Sequence, residues 1–176
     1  MTARRAFINA RLIDPATGLD APGALLIENG AIADFGPRLF NDAKPAHVEI
    51  VDCGGAALAP GLVDMRVFVG EPGEEHRETL KSASDAAAAG GVTTMIVMPE
   101  TTPVIDDAAL ADFIARRAQA EAKVRVRPMA AITRSLKGQA MTEMGLLAEA
   151  GAVAFSDGNR AVANAQVMRR ALTSAA

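Results

Sequence analysis

The chain has 176 residues, half of them apolar, with 18 Lys and Arg against 21 Asp and Glu and a net charge of −3. That length suffices for one domain with a real core, or one domain and part of a second. No apolar stretch approaches the roughly 20 residues that cross a bilayer. The acidic balance argues against a nucleic-acid surface, and 3% aromatic residues without Trp or Tyr argue against base stacking.

The N-terminus, "MTARRAFINARLID", has no long apolar segment after its basic residues, so a secretory signal is not expected. The single cysteine, Cys53, permits no internal disulfide, and a reducing cytoplasm is the expected location. "RRAFINARLID" and "GALLIENGAIADFG" read as short strands, with Asn29-Gly30 as a two-residue hairpin turn. "VEIVDCGGAALAPG" predicts another strand closed by Gly54-Gly55. Residues 1–57 are therefore assigned to a small β-sandwich segment without chemistry of its own.

From Leu58 the texture becomes alternating strand and helix. "ALAPGLVDMRVFV" predicts a strand, and "EEHRETLKSASDAAAAGG" a helix ended by Gly90 and Gly91. "VTTMIVMP" is a continuous β-branched apolar run, as a strand covered on both faces requires. "IDDAALADFIARRAQAEA" starts acidic and turns basic, the polarity that a helix dipole favours. "KVRVRPMAAI", "MTEMGLLAEAG", "AVAFSDG" and "NAQVMRRALTSAA" continue as strand, helix, strand and helix. Four such units imply a parallel sheet with right-handed crossovers. Spacing alone leaves open whether that sheet curls into a barrel or lies open and doubly wound. No G-x-G-x-x-G follows a strand, which disfavours dinucleotide binding.

"LAPGLVDM", "EPGEEHRET", "AAAAGGVTTMIVMP", "PVIDD" and "EMGLLAEAGAVAFSDG" occur in an order that resembles bacterial dihydroorotases of the amidohydrolase superfamily. The resemblance implies a metal-centred (β/α)8 barrel with a small β-sandwich. The expected fold class is thus α/β, with residues 58–176 forming (β/α)4, the first half of the barrel. It also implies the interconversion of dihydroorotate and N-carbamoyl-aspartate in pyrimidine synthesis. A whole barrel takes about 250 residues, so this chain is expected to be part of a longer product or to assemble in pairs. Open strand edges favour such association, and an oligomer is expected.

In the family the first barrel strand ends in His-x-His, both imidazoles binding zinc, and an arginine two residues further holds the substrate carboxylate. The matching positions here are Arg66, Phe68 and Gly70. The Met-Pro-Asn-Thr motif after the second strand, whose Asn touches substrate, reads Met98-Pro99-Glu100-Thr101. Asp157 resembles the acid after the fourth strand that helps hold the metals. Zinc needs lone pairs from imidazole, thiolate or carboxylate. Arginine stays protonated and has none, and phenylalanine offers only a ring. Glu100 adds negative charge where an anionic substrate would sit. The resemblance thus implies a homologue with no catalytic residues, no zinc and no substrate-binding residues, with a structural role beside aspartate carbamoyltransferase. An active zinc-dependent cyclic amidohydrolase that uses Asp157 is the alternative.

Plainer roles compete at several positions. Asp157 also suits a turn or helix start, and Arg66 can pair with Asp157 or Glu100 or reach solvent. His76 and His47, the latter near Pro45, read as solvated residues rather than ligands. Glu71, Glu74, Glu75 and Glu78 read as a solvated helix start. Cys53 and the methionines read as apolar filler.

Overall fold

A computed structural model describes residues 4–41 and 47–175. Pro45, the first three residues and Ala176 lie outside them. Contacts divide the chain into two units, Met1–Pro60 and Gly61–Ala176.

The first unit is one sheet built from β1 (Arg4–Asp14), β2 (Leu19–Glu28), β3 (Ala31–Gly36), β4 (Glu49–Asp52) and β5 (Ala57–Leu58). Its order is β3-β2-β1-β4, with β5 also on β1. Asn29 and Gly30 both take positive φ, 53° and 77°, as the tight turn between β2 and β3 requires. One face buries Ala6, Ala10, Leu12, Ala24 and Leu26. Arg4 pairs with Glu28 and Arg11 with Asp20 across the β1–β2 ladder, so opposite charges reinforce the register. Cys53 is half-buried, and its N–H donates to the Ile8 carbonyl at 2.9 Å. It is a turn residue rather than core filler. His47, at positive φ, is exposed.

The second unit alternates β6 (Leu62–Val67), α1 (Leu80–Ala89), β7 (Val92–Val97), α2 (Ala108–Glu121), β8 (Arg125–Ala130), α3 (Met144–Glu149), β9 (Ala154–Phe155) and α4 (Ala165–Ser174). Its strands are parallel and lie in the order β6-β7-β8-β9. A doubly wound sheet reverses strand order at a switch point, whereas a barrel lays its strands down consecutively. This sheet has no reversal, and α1, α2 and α3 pack on one face. Leu80, Ala83, Ala111, Ile114 and Leu147 meet Met95, Val97, Val126 and Ala130 there. Ile96, Met98 and Met129 cluster with Ala154 on the other, concave face. The unit is the first half of a (β/α)8 barrel.

Three elements differ from their sequence expectation. The strand expected over residues 57–69 is two strands: Ala57–Leu58 joins the first sheet and Leu62–Val67 the second. Pro60 and Gly61 interrupt it. The helix expected from Glu74 starts at Leu80, because Thr79 caps it: its Oγ1 accepts from Ser82 N while Ser82 Oγ accepts from Thr79 N. The fourth strand keeps only two residues.

Candidate functional site

The carboxyl ends of β6 to β9 carry the residues singled out above. Arg66, Phe68, Met98, Glu100 and Asn159 line an open cleft of about 360 Å³. Arg66 is exposed, and its guanidinium donates to Asn159 Oδ1. The Asn159 N–H in turn donates to Glu100 Oε1 at 3.1 Å. Arg66 therefore engages neither Asp157 nor Glu100 directly. The sequence offered those two partners or solvent, whereas Asn159 bridges Arg66 to Glu100. Phe68 is 43% exposed, and the Arg77 guanidinium lies 5.3 Å from its ring centre, within cation–π range.

Glu100 occupies space that only a glycine leaves free. A Cβ on Gly158, whose φ is +64°, would lie 2.3 Å from the Glu100 carboxyl carbon. Gly158→Ala is expected to expel the Glu100 carboxylate and to cost about 1–3 kcal/mol of stability through clash and backbone strain. Urea denaturation measures the cost, and an unchanged midpoint would contradict this packing.

Asp157 is not aimed at that cleft's donors. It is 3% exposed, its Oδ1 accepts the Thr133 N–H at 2.9 Å, and its Oδ2 accepts from Thr133 Oγ1. Thr133 is itself fully buried and accepts from Gly138 N at 2.9 Å. Asp157 thus ties the turn after β9 to the loop after β8, using both oxygens.

Gly70 is buried under its own loop. A Cβ there would lie 2.3 Å from the Glu74 carbonyl oxygen and 3.1 Å from that of Glu78. The loop is held down by Glu71, which the sequence placed in a solvated acidic cluster. Glu71 is instead only 3% exposed. Its Oε2 accepts the Leu80 N–H and its Oε1 accepts from Arg117 Nε, both at 2.8 Å. The neighbouring carboxylate raises the Arg117 pKa, first through this hydrogen bond. In sequence only Pro72 and Gly73, which separate Glu71 from the other three acids, set it apart from them. Glu75 accepts from Gly73 N, which lowers its pKa, and Glu74 pairs with Arg77. His76 is exposed.

These residues do not fit zinc. Arg66 and Phe68 have no lone pair to offer, and both Asp157 oxygens already accept hydrogen bonds from Thr133. Among the described residues no three His, Cys, Asp or Glu side chains gather where a metal could be held.

Comparison with known proteins places this geometry. Residues 55–176 match the family model described as dihydro-orotase-like. Dihydroorotase from Wolbachia sp. subsp. Brugia malayi (strain TRS) is 48% identical over 168 residues, 95% of this chain and 38% of that relative. Dihydroorotase from Pelobacter propionicus is 48% identical over 164 residues, 93% of this chain and 38% of that protein. The chain thus spans little more than a third of the length of the curated relatives it matches. L-Hydantoinase (dihydropyrimidinase) from Arthrobacter aurescens superposes with a TM-score of 0.72 at 25% identity, covering 88% of this chain and 32% of that one. N-acyl-D-glutamate deacylase from Bordetella bronchiseptica shares the fold, with a TM-score of 0.62 at 21% identity over 99% of this chain and 44% of its own. With a family model covering its entire strand–helix half and a half-barrel that overlays amidohydrolases, the chain belongs to the dihydro-orotase-like family.

Proposed function

We propose that this chain belongs to a catalytically inactive dihydroorotase homologue of pyrimidine biosynthesis, with a structural role in supporting aspartate carbamoyltransferase. The observation that carries this reading is the replacement of a ligand set by a self-contained polar chain. Arg66 donates to Asn159, Asn159 donates to Glu100, and Asp157 is closed by Thr133. Gly70 removes the cation that an anionic substrate would meet, and Glu100 adds a repelling charge. The name of the relatives supplies the pathway; the cleft supplies no chemistry for the reaction. The partner engages the outer helices or the barrel rim, leaving the cleft unused, and the protein is cytoplasmic. Among the described residues no helix is long and apolar enough to cross a membrane.

An active zinc-dependent dihydroorotase remains the competing reading, favoured by the names of the relatives alone. Purified protein assayed for dihydroorotate hydrolysis, and run on size exclusion with purified aspartate carbamoyltransferase, separates the two. Co-elution without turnover supports the proposal; turnover without co-elution overturns it.

Restoring both imidazoles, Arg66→His with Phe68→His, is expected to leave dihydroorotase activity at background. Position 70 has no room for a substrate-binding side chain, since a Cβ there already meets Glu74 O at 2.3 Å. Without a cation placed for the substrate carboxylate, binding and orientation are both lost. Turnover above background in the double variant would show that recognition at positions 70 and 100 is not needed.

A further inference from the structure

The hairpin turn between β2 and β3 brings together the groups for a modification that needs no enzyme. The backbone nitrogen after an asparagine can attack that side chain's carbonyl carbon, and glycine hinders the attack least because it has no Cβ. Of the asparagines in this chain, only Asn29 precedes a glycine. The others are engaged or crowded. Asn9 Nδ2 donates to Asp52 Oδ2 at 3.0 Å, Asn159 Oδ1 accepts from Arg66, and Asn164 Oδ1 accepts from the Gln166 and Val167 N–H groups at the start of α4. Asn41 precedes an aspartate, whose side chain stands in the way. Asn29 and Gly30 are both exposed. The Asn29 side chain bonds no described residue, and the space beside Gly30 is open.

We propose that Asn29 deamidates through a succinimide formed with Gly30, and that the isoaspartate product unpairs the edge strand β3. Hydroxide takes the Gly30 amide proton, the Gly30 nitrogen bonds to Asn29 Cγ, and the side-chain nitrogen leaves as ammonia. Water then opens the ring at one of its two carbonyls. Breaking the bond from Gly30 N to Cγ gives aspartate. Breaking the bond from Gly30 N to the main-chain carbonyl carbon gives isoaspartate, whose chain runs through Cβ and Cγ. Either product adds one negative charge. Asp-Gly suits the same turn as Asn-Gly, whereas the extra backbone atom of isoaspartate does not. Ring closure needs rotation about the Asn29 Cα–C bond, which the positive-φ turn restrains, so the reaction draws on openings of the hairpin end. Little holds that end shut. β3 is at the sheet edge, residues 31–35 are all exposed, and the β2–β3 register shifts between Leu26 and Ile27, beside the turn.

Incubating the purified protein at mildly alkaline pH and mapping its peptides by mass spectrometry tests the site. The mass gain of exchanging an amide NH2 for OH is expected in the peptide that carries Asn29 and in no other asparagine peptide. Edman degradation of that peptide is expected to halt at residue 29 in the isoaspartate fraction. Asn29→Gln is expected to abolish the gain, because its longer side chain must close a larger, slower-forming ring. No gain at residue 29, or an equal gain at another asparagine, overturns the proposal. Amide exchange on the isoaspartate fraction reads the consequence for β3, and Asn29→Asp supplies the added charge without the extra backbone atom. Faster exchange along β3 in the isoaspartate fraction, with Asn29→Asp protected like wild type, is the expected pair of results. Wild-type protection in the isoaspartate fraction would overturn the unpairing, and equal loss in Asn29→Asp would assign it to charge rather than to the backbone insertion.

Discussion

Asp157→Ala is expected to destabilise the half-barrel by about 3 kcal/mol, the loss of two hydrogen bonds to a carboxyl group in a buried site. The Thr133 N–H loses its acceptor, and Thr133 Oγ1 loses its partner in a position with no solvent exposure. Each stranded donor then bears its own desolvation cost. Asp157→Asn keeps one acceptor and offers an amide N–H₂ where an acceptor is needed, so a smaller but distinct loss is expected. Urea denaturation followed by far-UV circular dichroism measures both. A relic ligand with no structural role would predict the opposite: removing a buried carboxyl from an empty metal site leaves stability unchanged or raises it.

Glu71→Ala is expected to cost a similar amount, about 3 kcal/mol, by a different route. Leu80 is the first residue of α1, and its N–H is one of the donors that a helix start leaves without an intrahelical partner. Glu71 accepts it from inside the protein and also accepts from Arg117 on α2, so one carboxylate fastens a loop to two helices. Losing it should free the segment over Gly70 before the rest of the unit unfolds. Amide exchange at Leu80 and at Glu74, whose N–H donates to the Gly70 carbonyl, reads that local opening directly. Faster exchange at both, with α3 unaffected, is the expected pattern. Unchanged protection at Leu80 would mean that the loop is held by packing alone.

Much of this is legible in the sequence alone. β1 follows the run "RRAFINARLID", and Asn29-Gly30 makes the expected hairpin, because alternation and a turn needing positive φ are both local properties. The order of strands and helices was also legible, since each apolar period is written within its own segment. Barrel against open sheet was not legible from spacing, as both use the same units; the unreversed order β6-β7-β8-β9 decides it. Helix starts were missed where a side chain contact sets them. Nothing in "EEHRETLK" alone shows that Thr79 and Ser82 cap each other or that Glu71 reaches back to Leu80.

The candidate site divides in the same way. The identities of Arg66, Phe68, Gly70 and Glu100 are visible in sequence, and that Arg66 and Phe68 offer no metal donor follows from side-chain chemistry alone. Their contacts are long-range. Asn159 stands 93 residues from Arg66 and 59 from Glu100, and only the fold brings the three together. Thr133 is 24 residues from Asp157 and carries no motif of its own. Gly158 reads as part of a turn in sequence and Gly70 as the place of a missing arginine, yet both are demanded by close packing: one beneath Glu100, the other beneath the Glu74 carbonyl.

The most direct test is a thermal melt of the complete protein as purified, after EDTA, and after excess zinc. A metal that binds only the folded state stabilises it by mass action, often by several kcal/mol when saturating. With Arg66 and Phe68 at the strand end and Asp157 engaged by Thr133, the same midpoint is predicted in all three conditions. A midpoint that drops with EDTA and recovers with zinc would contradict the inactive reading, because it would mean that a metal centre is present and holds the fold together.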